Sequence, residues 1–314
     1  TFGPVWFSLM RAIVAVLLCV TAVHAAIWGL LRDEQKAPDF NGMLPSLSYA
    51  PFEGAGHPDV DNIPNKEKIR ADLKKLATMT KAIRLYSSTG GVELVPPIAA
   101  EFGLKVTVGA WIDKNAERNE REIAAALDLA KRNSNVIGIV VGNETIYRGE
   151  QKAADLIELI QRVKRQTNVP VTTGEIWNIW RDDLELAAQE GRPSLASSVD
   201  FIAAHILPYW ENFTDRQAVD QAMYIYGLLR DTFPGKRIVI AEFGWPSAGY
   251  NLKNANPGPF EQASVLRNFV TRADAIGMDY NIVEAIDQPW KFFEGGVGPY
   301  WGVLNASREP KFAW

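Results

Sequence analysis

An alternation that starts near residue 46 and runs to the end of the chain does most to limit how it can fold. Short β-branched or apolar runs recur at Ser46–Ala50, Ala82–Tyr86, Lys105–Gly109, Val136–Val141, Val169–Thr173, Phe201–Ile206, Arg237–Ala241 and Asp279–Ala285. Near-continuous apolar runs of this length are the mark of strands buried on both faces, as in a parallel sheet. Between them lie helical periodicities. Ile69, Leu73 and Leu76 fall at i, i+4, i+7, and so do Ile123, Leu127 and Ala130. Leu156, Leu159, Ile160 and Val163 fall at i, i+3, i+4, i+7, a spacing repeated by Ala222, Ile225, Tyr226 and Leu229 and by Leu266, Phe269, Val270 and Ala273. Each pattern puts one apolar stripe on one helix face. Weaker patterns cover Val92–Phe102 and Asp182–Gln189; Pro96-Pro97 predicts that the first is short or kinked.

Eight strands separated by helices predict parallel pairing through right-handed crossovers. Closure into a (β/α)8 TIM barrel is the economical solution for a domain of this length. An open doubly wound sheet is the alternative, but the glycine loop it would use for phosphate, GxGxxG or GxxxxGK[ST], is missing.

The N-terminus stands apart. Ala12–Leu31 carries no formal charge with His24 neutral, follows Arg11 and stops at Arg32-Asp33-Glu34. Its 20 residues are enough to span a bilayer core of about 30 Å. A signal peptide cleaved after Val23-His24-Ala25 is a second reading and a buried core helix a third. The apolar run continues past the cleavage site to Leu31, which favours an uncleaved anchor. The basic residue ahead of it predicts a cytoplasmic N-terminus with everything after it outside. The expected organisation is a signal-anchor over 1–32, a polar linker over 33–45 and a (β/α)8 catalytic domain over 46–314.

In such a barrel the active site lies at the C-terminal ends of the strands. Two glutamates close two of the runs, Glu144 after the fourth and Glu242 after the seventh. Either alone reads as the first polar residue beyond a strand. Together they are the minimum equipment for cleaving a glycosidic bond, one acid to protonate the leaving oxygen and one carboxylate to attack or to activate water. Of the ten tryptophans, Trp111, Trp177, Trp180, Trp210, Trp245 and Trp290 all fall just past strand ends. Rings placed only to fill a core would be spread through strands and helices as well. A ring of flat amphipathic faces around an acidic mouth suits sugars.

Composition removes other classes. Charged residues make up 22% of the chain and the net charge is −4, so nothing predicts nucleic acid or another anionic partner. Cys19 is the single cysteine, and His24, His57 and His205 show no zinc-ligand spacing, so no metal site is expected. His205 lies in an apolar run and is expected to play a hydrogen-bonded supporting role. No cofactor is implied, because two carboxylates suffice for the chemistry.

The motifs Ile83-Arg-Leu-Tyr86, Val141-Gly-Asn-Glu144, Leu207-Pro-Tyr209-Trp210, Ala241-Glu-Phe-Gly-Trp-Pro-Ser247 and Val283-Glu-Ala-Ile-Asp-Gln-Pro-Trp-Lys291 resemble family 17 of the glycoside hydrolases. These are β-1,3-glucanases, lichenases and β-1,3-glucanosyltransferases, and the resemblance covers about residues 41–314. It implies that Glu144 is the acid/base and Glu242 the nucleophile of a retaining mechanism, with Tyr86, Asn143 and Tyr209 lining the cleaved site. It places Glu284 and Lys291 near the pair; for Lys291 a solvated ion pair with Asp287 is the equal alternative. Glu175 is expected as a hydrogen-bonding wall, with a structural acid as its rival. Trp177, Trp210, Trp245, Asp287 and Trp290 complete the expected substrate contacts.

An anchored domain of this kind resembles bacterial members that remodel a β-1,3-glucan made by a membrane glycosyltransferase. That implies a periplasmic enzyme held at the inner membrane, transferring glucan to an acceptor glucan by elongation, branching or cyclisation. Endohydrolysis of β-1,3-glucan is the alternative, since both outcomes share one glycosyl-enzyme intermediate. A non-catalytic glucan-binding barrel, or a glycosidase acting on another polymer, is the remoter reading.

Overall fold

The computed structural model describes residues 4–31, 42–58, 60 and 62–312. It divides into two compact units, residues 1–36 and 37–314. The first contains helix α1, Pro4–Leu31, whose 28 residues give a length of about 42 Å. Within it, Met10–Ile27 is apolar enough and long enough to cross a membrane. Most of the expected linker, residues 33–41, lies outside the described residues, as does residue 32.

The second unit is a closed barrel of eight parallel strands in sequential order. The strands are β1 (Leu47–Ser48), β2 (Ala82–Arg84), β3 (Lys105–Ala110), β4 (Val136–Asn143), β5 (Val171–Ile176), β6 (Ile202–His205), β7 (Ile238–Phe243) and β8 (Asp279–Ile282). All eight match predicted runs. The fifth and seventh extend further than the apolar runs suggest, so Glu175 and Glu242 are strand residues rather than loop residues.

Around the barrel lie α2 (Lys66–Leu76), α3 (Val95–Glu101), α4 (Ala116–Arg132), α5 (Ala153–Lys164), α6 (Trp177–Glu190), α7 (Leu195–Ser198), α8 (Asp215–Thr232) and α9 (Pro259–Ala275). Local chemistry starts several of them. Asn65 and Asn115 accept backbone N–H groups at the starts of α2 and α4, and Thr214 with Gln217 forms a capping box on α8. The buried stripes are close to those expected. On α4 the face is turned: Ile123, Ala126 and Leu129 are buried, while Leu127 and Ala130 are half-buried. Helix α6 is longer than its weak pattern predicts because it begins at Trp177, directly after β5.

Candidate active site

Arg84, at the end of β2, organises the mouth of the barrel. It is buried, a charge inside an apolar run, and so must be paired. One guanidinium nitrogen donates to the Glu242 carboxylate at 2.9 Å and to the Ala241 carbonyl at 2.8 Å. The other donates to Asn143 Oδ1 at 2.7 Å and lies 3.4 Å from His205 Nε2. Arginine can only donate, so His205 Nε2 accepts and Nδ1 carries the hydrogen that goes to Glu144, 2.8 Å away. One fork of donors and one imidazole thus tie together the ends of β2, β4, β6 and β7. One oxygen of each glutamate and one His205 nitrogen all lie within 4.8 Å of one another. Three such ligand atoms could hold a cation, but the Arg84 guanidinium already supplies a positive charge to this group.

The two glutamates are held differently. Glu242 belongs to the β7 ladder, opposite His205 of β6. Glu144 follows β4 in a turn, with a left-handed φ of 52° that few non-glycine residues adopt. Glu175 holds this turn. Its buried carboxylate accepts the N–H groups of Ile146 at 2.7 Å and Tyr147 at 3.3 Å. Burial pushes Glu175 up to about 7 in spite of those bonds. Glu175 is therefore a structural acid under the turn, not the hydrogen-bonding wall expected from sequence. For Glu144, burial pulls upward, but the hydrogen bond from His205 and the charges of Arg84 and Arg148 outweigh it, and the net shift is downward.

Gly174, on β5, makes room for this arrangement. A Cβ there would lie 2.7 Å from His205 Nε2 and 2.8 Å from an Arg84 nitrogen. Any side chain larger than hydrogen would push the two organising groups apart.

On the β8 side, Lys291 donates to Glu284 at 2.9 Å, and both are largely buried. The other Glu284 oxygen has no partner among the described residues, and burial pushes this carboxyl up to about 7 against the pull of Lys291. The solvated Lys291–Asp287 pair is not formed. Asp287 instead accepts from Lys311 at 2.6 Å and from the Gly302 N–H at 2.9 Å, which makes it a clamp on the C-terminal segment rather than a sugar contact. Tyr86 shares a hydrogen bond with Ser48 of β1 and lies under the Arg84 guanidinium.

The tryptophans separate into two groups. Trp245 and Trp180 are fully buried, and their indole N–H groups are consumed by the Asn256 and Ala203 carbonyls. Both are closed off from solvent, whereas Trp245 was expected among the substrate contacts. Tyr209 is also fully buried, packed edge-on against Trp210, Trp245 and Trp301, with its hydroxyl donating to the Tyr250 carbonyl. It supports Trp210 rather than lining the mouth. Trp210 is exposed and stacks on Trp301. Trp177 is half-buried, with its N–H on Glu211 at 2.7 Å. Trp290 is half-buried and donates to Gln288 at 2.7 Å. Arg84, Gly174 and Trp301 escape the sequence reading. Arg84 had a signal, a charge in the middle of an apolar strand run.

Two acids held this close at the C-terminal mouth of a parallel barrel define a glycoside hydrolase of the (β/α)8 type. More narrowly, the chain belongs to the BtgE/BtgC glycoside hydrolase domain family, whose model matches residues 46–302. Among similar proteins, the probable glucan endo-1,3-beta-glucosidase btgC of Aspergillus oryzae is 26% identical over 90% of this chain. The chain spans only 44% of that relative's length. The glucan 1,3-beta-glucosidase of Arthroderma benhamiae is 27% identical over 78% of this chain and 84% of its own. In structure, the family 17 β-1,3-glucanosyltransferase of Rhizomucor miehei superimposes with a TM-score of 0.73 at 24% identity, covering 85% of this chain and 95% of that one.

Proposed function

We propose that the barrel is a retaining enzyme that cleaves β-1,3-glucan and passes the glycosyl group to an acceptor glucan. The observation that carries this reading is that one carboxylate oxygen of Glu144 and one of Glu242 lie within 4.8 Å of each other, which favours the closer of the two carboxyl spacings that glycosidases use. Retaining enzymes hold their carboxyls roughly 5–5.5 Å apart, and inverting ones hold them about 6.5–9.5 Å apart to admit a water. A Glu242 oxygen attacks the anomeric carbon, the glycosidic C–O bond breaks, and the protonated form of Glu144 gives its proton to the departing oxygen. An acceptor hydroxyl then loses its proton to Glu144 as its oxygen displaces Glu242. Nothing among the described residues accepts the amide hydrogens of Asn143, which are available to a sugar 2-hydroxyl. Arg84 fixes that amide and Glu242 in one plane of contact.

The substrate follows from the relatives, which are named for 1,3-β-glucan. The endo-1,3-beta-glucosidase name of the Aspergillus oryzae relative also supports a second reading, hydrolysis, in which water takes the acceptor's place. Transfer is favoured by Trp177 at the start of α6 and by Trp210 and Glu211 in the loop after β6, the side on which Glu144 would release the leaving chain. The Met10–Ile27 helix suits an anchor that keeps the barrel on the extracytoplasmic side of a membrane. The relatives above are fungal, so they lend no support to a bacterial inner membrane or to a membrane glycosyltransferase as partner.

Azide separates the two roles. Glu242→Gly with azide should yield an α-glycosyl azide, and Glu144→Ala with azide a β-glycosyl azide. The same anomer from both variants would overturn the assignment. Mass analysis of products from linear β-1,3-gluco-oligosaccharides then distinguishes transfer, which makes longer chains, from hydrolysis, which makes only shorter ones.

A further inference from the structure

We propose that the loops after β1 and β8 form a remote sugar platform that grips the donor glucan several units away from the cleaved bond. The platform consists of Phe52 and His57 from the first loop and Trp290, Phe292 and Phe293 from the second. The proposal rests on the glucan reading above.

The rings form one connected cluster. Trp290 meets Phe52 edge-on at 6.0 Å, and also contacts His57 and Phe293 at 6.0 Å. Phe293 extends the cluster to Phe292, again at 6.0 Å. Trp290 is fixed at its base. Its N–H is bonded to Gln288, a buried side chain whose own amide donates to the Ala50 carbonyl in the loop after β1. The outer rings remain open to solvent, Phe292 at 66% and Phe293 at 56% exposure. Adjacent apolar rings kept in water at the mouth of a site indicate a ligand that covers them. Rigid aromatic faces held in place by a buried polar group suit the apolar C–H faces of sugar rings.

Position selects the donor chain over the acceptor. Glu144, just after β4, gives its proton to the leaving oxygen, so the leaving chain lies towards β4, β5 and β6. The part of the chain bonded to Glu242 must extend the opposite way, towards β8 and β1. The platform is built on those two loops. It adjoins the site through Lys291, whose ammonium lies 5.7 Å from the Trp290 ring and 2.9 Å from Glu284.

The test is chain-length dependence. Phe292→Ala/Phe293→Ala removes the two exposed rings and leaves Trp290 and the carboxylates in place. Its kcat/KM is compared with wild type on β-1,3-gluco-oligosaccharides from three to eight units, with melting temperature as the control for folding. The loss should be absent on the shortest active substrate and reach about tenfold on the longest, the size expected for one or two ring contacts. Equal loss at every length, or no loss at any, would overturn the platform. A wild type that acts on no β-1,3-linked oligosaccharide would instead remove the functional reading beneath it. If the double variant does not fold, Phe292→Ala alone reports the same dependence, since Phe292 makes a single ring contact with the cluster.

Discussion

Replacing Arg84 with methionine tests the organisation of the site most directly. The substitution keeps an unbranched side chain in the buried slot and removes every donor. Glu242 loses a charge-assisted bond of 2.9 Å, Asn143 loses one of 2.7 Å, and the Ala241 carbonyl loses one of 2.8 Å. Hydrogen bonds to charged groups contribute about 1.5–3 kcal/mol each, and breaking a buried ion pair costs about 3–5 kcal/mol because the remaining charge is stranded. In a domain of this size each kcal/mol moves the melting temperature by about 2–4 °C, so a fall of about 6–20 °C is expected. Turnover should fall about 100-fold or more, because Glu242 and Asn143 lose their shared anchor and misplacement of about 1 Å costs that much. Thermal unfolding by circular dichroism and kcat on an activated aryl β-glucoside measure the two effects separately. Arg84→Lys should recover part of the stability and little of the activity, since a point charge does not span Glu242 and Asn143 as a planar fork does. An Arg84→Met protein with unchanged melting temperature and unchanged kcat would refute the reasoning.

Three further outcomes follow from the same geometry. Gly174→Ala should lower kcat while the barrel still folds, because the new methyl displaces His205 and Arg84; unaltered kcat would mean those groups are not tightly placed. For Glu175, the folded carboxyl titrates near 7 against an ordinary 4.5, so the native state binds the extra proton between these values and stability falls as pH rises through that window. That penalty is of order 3 kcal/mol above pH 7 and is absent in Glu175→Gln. The melting-temperature difference, variant minus wild type, should therefore be more positive at pH 8 than at pH 4.5, and a gap independent of pH would contradict the assignment. His205→Phe removes the hydrogen bond that favours ionised Glu144. The basic limb of the kcat/KM profile should then move to higher pH, whereas His205→Asn, which can still donate, should hold it near its original place; an unmoved limb in the phenylalanine variant counts against the His205–Glu144 bond.

The barrel was legible because its signal is repeated: eight apolar runs with seven helical intervals leave few topologies open. The positions of Glu144 and Glu242 were legible for the same reason, since a charge at the end of a buried run falls at the mouth. Side-chain direction was not. Trp245 and Trp180 sit past strand ends as expected, yet they turn back into the core because a carbonyl there accepts the indole N–H. Glu175 was expected beyond its strand, but β5 runs on to Ile176, and the extra pairing places the carboxylate beneath the turn after Glu144. Asp287 finds Lys311 across a segment with no helical or strand period, where spacing gives no guide. Arg84 carried a different signal, a charge inside an apolar run rather than at its end, which a buried strand tolerates only where the charge is paired.

The contrast between the two glutamates has a consequence for how the site tolerates change. Glu242 is part of a ladder shared with β6 and β8, so moving it means moving the sheet. Glu144 lies one residue past its strand, its N–H on the Gly174 carbonyl at 2.7 Å, in a left-handed turn whose next residues are held from below by the Glu175 carboxylate. The group assigned the covalent bond thus lies within a strand, while the group assigned to pass a proton between two different oxygens lies just beyond one, on a turn bedded on a second buried carboxylate. Divergence within such a barrel can retune proton delivery, and with it the choice between water and sugar, through the bed of one turn while leaving the bond-forming atom where it was.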